Sequence, residues 1–150
     1  MISKILDDMT LDWDYASERK AMSRSYSGRI VFGWYFFIMA GENGWTGFVE
    51  NKIYAFKRFE VSSDDETALT LILNKMKAFI AVVQDFRSAV ARESSDHIYN
   101  RIPSDDAIIG LSGPYGSRIN VIEDRVGGWH AIGGGRYCDM VSRVITMMGL

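Results

Sequence analysis

The residues able to do chemistry fall into a few sets. In "GWHAIGGGRYCDMV", His130 precedes and Cys138 follows a glycine run, with Asp139 adjacent. A histidine near a thiol pairs a base with a nucleophile. Cys138, however, falls within an apolar repeat of helical spacing (Tyr137, Met140, Val141, Val144, Ile145, Met148), where a buried thiol acts as a small hydrophobe. The glycines themselves, Gly133, Gly134 and Gly135, open that helix and are followed by Arg136. Free amides, a helix dipole and a guanidinium together favour an anion. The spacing matches neither the dinucleotide fingerprint nor a Walker loop, and no lysine or hydroxyl follows the third glycine. Tight strand–helix packing is therefore the expected role. Asp7 and Asp8 with Asp12 and Asp14 offer paired carboxylates, as glycoside hydrolysis or a hard cation requires. Two lie in a turn and two on one strand face, which reads as solvated acid. His97 sits beside Asp96 in a polar loop, far in sequence from His130, a weak ligand set. No metal site and no cofactor are expected.

These residues need elements to hold them. "WHAIG" (residues 129–133) reads as a strand running into the glycines, with a helix from Arg136. "AIIGLSG" (107–113) and "RINVIED" (118–124) read as strands joined by the turn "PYGS", and "RVGG" makes the next turn. The clearest element is a helix over residues 64–92. Ser63 to Glu66 has the form of a capping box, with the Ser63 hydroxyl accepting a first-turn amide and Glu66 reaching back. Leu69, Ile72, Leu73, Met76, Ile80, Val83 and Val90 then recur at three- and four-residue spacing, a core-facing stripe. "IVFGWYFFIMAG" (30–41) is aromatic and β-branched, a buried strand or two strands broken at Gly33. Residues 2–6 and 11–17 read as strands, the second from the alternation of Leu11, Trp13 and Tyr15. "SRSYSG" (23–28) reads as a loop and "GENG" as a turn. Residues 45–59 fit neither period, and a helix is the expectation there. Residues 93–106 are a polar connector.

A chain of 150 residues that is 47% apolar can bury a core as one domain, without disulfides or metal. Its formal charge of −2, with signs interleaved, argues against nucleic-acid binding, which takes a basic face. The short basic clusters, Arg19-Lys20 with Arg24 and Arg29, and Lys52 with Lys57-Arg58, read as solvated surface. A lone cysteine excludes an intrachain disulfide framework and fits a reducing, cytoplasmic compartment. "MISKILDDMT" carries aspartates where a signal peptide keeps an apolar run. The longest apolar stretch, residues 30–41, falls well short of the roughly 20 residues that cross a bilayer, so no membrane association is expected. Aromatic residues crowd the first part of the chain. Most read as core, and the excess fits a protein–protein interface.

The stretch "AIIGLSGPYGSRINVIEDRVGGWHAIGGGRYCDMVSRVITMMG" resembles the second half of proteasome-like N-terminal-nucleophile hydrolases, the family of proteasome β subunits and bacterial HslV. In that family a strand, a turn and two further strands end in Ala-Ile-Gly-Ser-Gly and pass directly into a helix. Here the corresponding residues are Ala131-Ile132-Gly133-Gly134-Gly135. "LDWDYASERKAM" stands where the family has its second strand and an aspartate. "GRIVFGWYFFIMAG" stands where it has a lysine, a strand, and a second strand ending in Ala-Gly. The resemblance implies an α+β fold over residues 1–150: two antiparallel sheets packed face to face with covering helices, an αββα sandwich, truncated before the family's last strands and helix. It also implies catalytic positions, and these are degenerate. The nucleophile position falls at Ser3, behind Met1 and Ile2, whereas the family uses the N-terminal residue's own amine as base. The lysine position falls at Arg29, whose guanidinium stays charged and cannot be tuned as a proton carrier. The aspartate position falls at Ser17 or Glu18.

The expected function is therefore that of a non-catalytic protein-interaction or self-assembling protein on a proteasome-like fold. The resemblance implies a homo-oligomer, because the family builds rings through its helices, or else a protein partner. A phage or mobile-element accessory factor binding a host protein is one form of this. The alternatives are an active peptidase or amidohydrolase with Ser3 exposed by trimming, and a small-ligand or nucleotide binder at the triple glycine.

Overall fold

The computed structural model describes residues 25–30, 33–94 and 99–150. The strands expected over residues 2–6 and 11–17 lie outside these residues, as do Ser3, Ser17, Glu18, the four N-terminal aspartates, Asp96 and His97. The fold is α+β. Its strands are β1 (Ser25–Ile30), β2 (Trp34–Gly41), β3 (Gly44–Asn51), β4 (Ala55–Val61), β5 (Tyr99–Asn100), β6 (Ile109–Ser112), β7 (Arg118–Glu123) and β8 (Trp129–Ile132). Its helices are α1 (Glu66–Glu93) and α2 (Gly135–Met147). The strands hydrogen-bond as one antiparallel sheet in the order β1-β2-β3-β4-β6-β7-β8, with β5 beside β6. The described residues form no second sheet. The chain divides into two compact units, Met1–Asn51 with Lys57–Ile80, and Lys52–Phe56 with Ala81–Leu150.

In the first unit the sequence reading needs two corrections. Residues 23–28 were expected as a loop, yet β1 begins at Ser25. Residues 45–59 were expected as a helix, yet they form β3 and most of β4. The reason in both cases is the sheet. Ser25 to Ile30 pairs along its whole length with β2 (Ser25↔Met39 through Ile30↔Trp34), so polar residues of low strand propensity are held by ladder bonds to an aromatic neighbour. β2 and β3 form a tight hairpin around Glu42 and Asn43. Gly44, at φ +122°, closes it where a Cβ would lie 2.0 Å from the Val61 carbonyl.

Side chains alternate across a strand. The inward face of β2 and β3 carries Trp34, Phe36, Ile38, Trp45 and Val49, all buried. The first half of α1 packs there. Phe79 meets Trp34 edge-on at 6.2 Å and Phe59 at 6.1 Å, and Met76 Cε lies 3.0 Å from where Gly47 would carry a Cβ. The expected stripe Leu69, Ile72, Leu73, Met76, Ile80 and Val83 is buried throughout. The cap is shifted from the expected box. Asp65 Oδ1 accepts from the Ala68 amide at 2.7 Å, while the Ser63 hydroxyl accepts from the Asp65 amide at 3.4 Å. The Ala68 bond foremost, followed by a side-chain hydrogen bond between the Asp65 carboxylate and Ser63, lowers the Asp65 pKa. The Trp45 indole N–H donates to the Asp65 carbonyl at 3.0 Å, tying the helix start to β3.

In the second unit β6, β7 and β8 form a meander with Ile109↔Val121 and Val121↔Ala131 in register. Ile109, Leu111, Ile119, Val121 and Trp129 are buried, as are Val83, Phe86 and Val90 from the second half of α1. Phe86 meets Trp129 edge-on at 5.4 Å, and the Arg87 guanidinium lies 3.7 Å over the Tyr54 ring. Helix α2 buries Tyr137, Cys138, Met140, Val141, Val144 and Ile145, while Met148, the last residue of the repeat read from the sequence, caps the helix and is only half-buried. Among the described residues no helix is long and apolar enough to cross a membrane.

Candidate functional site

The triple glycine proves to be three different positions. At Gly133, φ +155°, a Cβ would lie 2.6 Å from Ile119 Cδ1 and 2.9 Å from the Arg118 carbonyl. At Gly134 it would meet nothing within 4 Å, and the backbone there is ordinary extended chain (φ −137°, ψ 162°). At Gly135 space is also open, but φ is +87°. The close packing expected of the whole run therefore holds at Gly133 alone, where β8 passes the backbone of β7. Gly134 and Gly135 project into solvent. The next residue, Arg136, is exposed and lines a groove described below.

The histidine and cysteine that flank this junction each have another partner. His130 Nε2 lies 2.7 Å from Asp124 Oδ2 on an exposed surface. Asp124 Oδ1 accepts from the amides of Gly128 at 2.8 Å and Val126 at 2.9 Å. One carboxylate thus organises the whole turn between β7 and β8. These bonds, that to His130 first, hold its pKa below the usual value. Cys138 is buried, and burial followed by the neighbouring Asp139 charge pushes its thiol pKa up, while a bond with Ser142 opposes the shift. A thiol with a raised pKa carries little thiolate at neutral pH, the reverse of an activated nucleophile.

Of the positions implied by the resemblance, Arg29 is the one that the structure describes. It is exposed on β1, directly across from Tyr35. That pairing defines the feature the residue types alone hid: the outward face of β1, β2 and β3. Register sets three rows on it. Arg29, Tyr35 and Glu50 form one row, Ser27, Phe37 and Phe48 the next, and Ser25, Met39 and Thr46 the third. Phe37 stacks on Phe48 at 5.9 Å, and Tyr35 meets Phe48 at 6.1 Å. Tyr35, Phe37 and Phe48 are half-buried, and Met39 is 37% exposed. The face is aromatic at its centre, with a cation and an anion on opposite sides of one end. The sequence signal for it was the excess of aromatic residues, and the pairing that groups them needed the fold.

The second unit holds a groove of about 420 Å³ between the end of α1, the turn Pro114–Gly116 and the first turns of α2. Arg136, Arg143, Tyr137, Met140, Ser117 and Glu93 are among the residues lining it. Tyr137 packs against Gly113, where a Cβ would fall 2.5 Å from the ring, so the strand end needs a glycine for this tyrosine to seat. Among the described residues no cluster of histidine, cysteine and carboxylate groups could hold a metal ion. Comparison of the chain with protein-family models, with curated proteins and with solved structures finds no match.

Proposed function

We propose that this chain is a non-catalytic protein that works by protein association, and that its partner is a second copy of itself docked on the outward face of β1–β3. The observation that carries the reading is the register of that face. Strands lie about 4.8 Å apart and facing sheets about 10 Å apart. A two-fold axis running along β2, between two such sheets, brings the Tyr35, Phe37 and Met39 column onto its own copy. The same operation carries β1 across to lie opposite β3. Arg29 of each copy then faces Glu50 of the other, and the aromatic centre is closed from water. An isologous interface needs this kind of self-complementarity. The aromatic residues supply the buried area, and the two charge pairs set the register.

This arrangement would set two sheets face to face between two copies, whereas the resemblance to proteasome-like hydrolases implies both sheets within one chain. The first unit supplies one sheet with a helix on its inner face, and a second copy would supply the other sheet. The degenerate catalytic positions fit a scaffold kept for assembly. Arg29, where the family has its lysine, takes an interface role in this reading.

Light scattering and sedimentation of the full chain test it. The unmutated protein is expected to be a concentration-dependent dimer. Phe48→Lys is expected to give a folded monomer. Arg29→Glu and Glu50→Arg should each weaken the dimer, and the double swap should restore it. A monomer at the highest soluble concentration, or a double swap no better than either single one, refutes the reading.

A further inference from the structure

We infer that Met39 makes self-association through the outward face of β1–β3 redox-sensitive: hydrogen peroxide converts its thioether to the sulfoxide in the separate chain, and the sulfoxide form pairs weakly. The inference rests on the dimer proposed above and names how that interface is regulated. Met39 stands on β2 between Ser25 of β1 and Thr46 of β3, one row beyond the stacked rings of Phe37 and Phe48. At 37% exposed it is open to solvent in the single chain. A two-fold axis along β2 sets it directly against Met39 of the second copy. The other methionines among the described residues differ from it. Met76 and Met140 are buried. Met147, 68% exposed, and Met148 stand at the end of helix α2 in the second unit and take no part in this face. Among the described residues Met39 is therefore the one methionine that is both open to a solvent oxidant and part of the face.

A thioether is a soft, apolar filler that packs well beside aromatic rings. Its sulfur lone pair attacks one oxygen of the peroxide and the O–O bond breaks. That oxygen stays on sulfur, and the other leaves with both protons as water. Sulfur gives up two electrons and the peroxide takes them, so no further reactant is needed. The product is polar, disrupts interfaces built on methionine, and is returned to the thioether by methionine sulfoxide reductases. Facing sheets stand about 10 Å apart, so at the axis the two sulfoxides would meet with water excluded. A sulfoxide oxygen accepts hydrogen bonds and has none to donate. The pair therefore cannot satisfy each other, and a buried acceptor without a donor is unfavourable. The relation is mutual. Pairing covers Met39 and shields its sulfur from peroxide, and oxidation favours the separate chain by the same linkage.

Sedimentation of the full chain over a dilution series, before and after hydrogen peroxide, tests the inference, with peptide mapping to place the added oxygen. The dimer constant should weaken about tenfold for each oxidised copy, about a hundredfold with both, as one buried acceptor left without a donor implies. In the other direction, the rate of Met39 oxidation should fall as protein concentration rises through the dimer constant, while that of Met147 stays level. Met39→Leu, whatever its own dimer constant, should keep that constant through peroxide treatment. Met147→Leu should respond as the unmutated chain does. A chain that is monomeric before any peroxide refutes the dimer and this inference with it. A dimer that persists when mapping shows Met39 as the sulfoxide, as when the Ser25 and Thr46 hydroxyls of its row take up the new oxygen, overturns this inference and leaves the dimer standing. A peroxide response that survives in Met39→Leu does the same, as does a Met39 oxidation rate that ignores protein concentration.

Discussion

Replacing the three junction glycines by alanine one at a time should give three different results. At Gly133 the new methyl must take a φ of +155° and sit 2.9 Å from the Arg118 carbonyl, well inside the usual contact distance of about 3.5 Å. Ile119 Cδ1, at 2.6 Å, can swing away, but a strand carbonyl cannot. Backbone strain of about 1–2 kcal/mol and overpacking of about 1–3 kcal/mol together suggest a loss of about 2–5 kcal/mol. At Gly135 the space is open but φ is +87°, so strain alone applies, about 1–2 kcal/mol. At Gly134 neither term applies, and the change should stay within about 0.5 kcal/mol. Urea unfolding followed by far-UV circular dichroism reads all three, with the m-value checked for constancy so that midpoint shifts report stability. If Gly134→Ala costs as much as Gly133→Ala, the account of the junction as one close contact followed by two solvent-facing residues is wrong.

Other expectations follow from single contacts. Phe79, 4% exposed and in edge contact with Trp34 and Phe59, should cost about 3–5 kcal/mol on replacement by alanine, read by the same unfolding curves. Arg87→Met should cost about 1 kcal/mol, by loss of the guanidinium over the Tyr54 ring, whereas Arg87→Lys should recover part of it. The turn around Asp124 should be acid-sensitive. Its carboxyl has a folded pKa below its ordinary value, so its contribution is complete above the unfolded pKa and is lost as pH falls through the lower folded one. Amide exchange at Val126 and Gly128 should rise in that range below pH 3.8, and Asp124→Asn should show faster exchange already at neutral pH.

How much of this could be read from the sequence depends on how many faces each element buries. Helix α1 buries one stripe and exposes the rest, so Leu69 through Val83 announced it. β2 was legible as a strand from its aromatic and β-branched run. β3 and the start of β4 were not, because Phe48 and Phe56 are aromatic on the outward side while Trp45 and Phe59 are aromatic on the inward side. With both faces apolar the period of two disappears, and helix and strand look alike. β1 failed for the opposite reason, since serine and glycine at a sheet edge carry no pattern until β2 pairs with them. The glycine run was visible, but which of three identical residues makes the contact is a matter of where β7 passes. The groove was legible only at Arg136. Tyr137 read as one more core residue, and the seating of its ring against Gly113 is a property of the packed state.

The burial of Cys138 gives the molecule an internal gauge. It is the chain's one thiol, it is 7% exposed, and its raised pKa keeps it protonated at neutral pH. A thiol reagent therefore reaches it only when α2 lifts from the sheet or the whole unit opens. Under conditions where closing outruns labelling, the labelling rate divided by that of the unfolded chain is the equilibrium constant for that opening. The native sequence, with no engineered probe, thus reports how firmly the helix after the glycines is held.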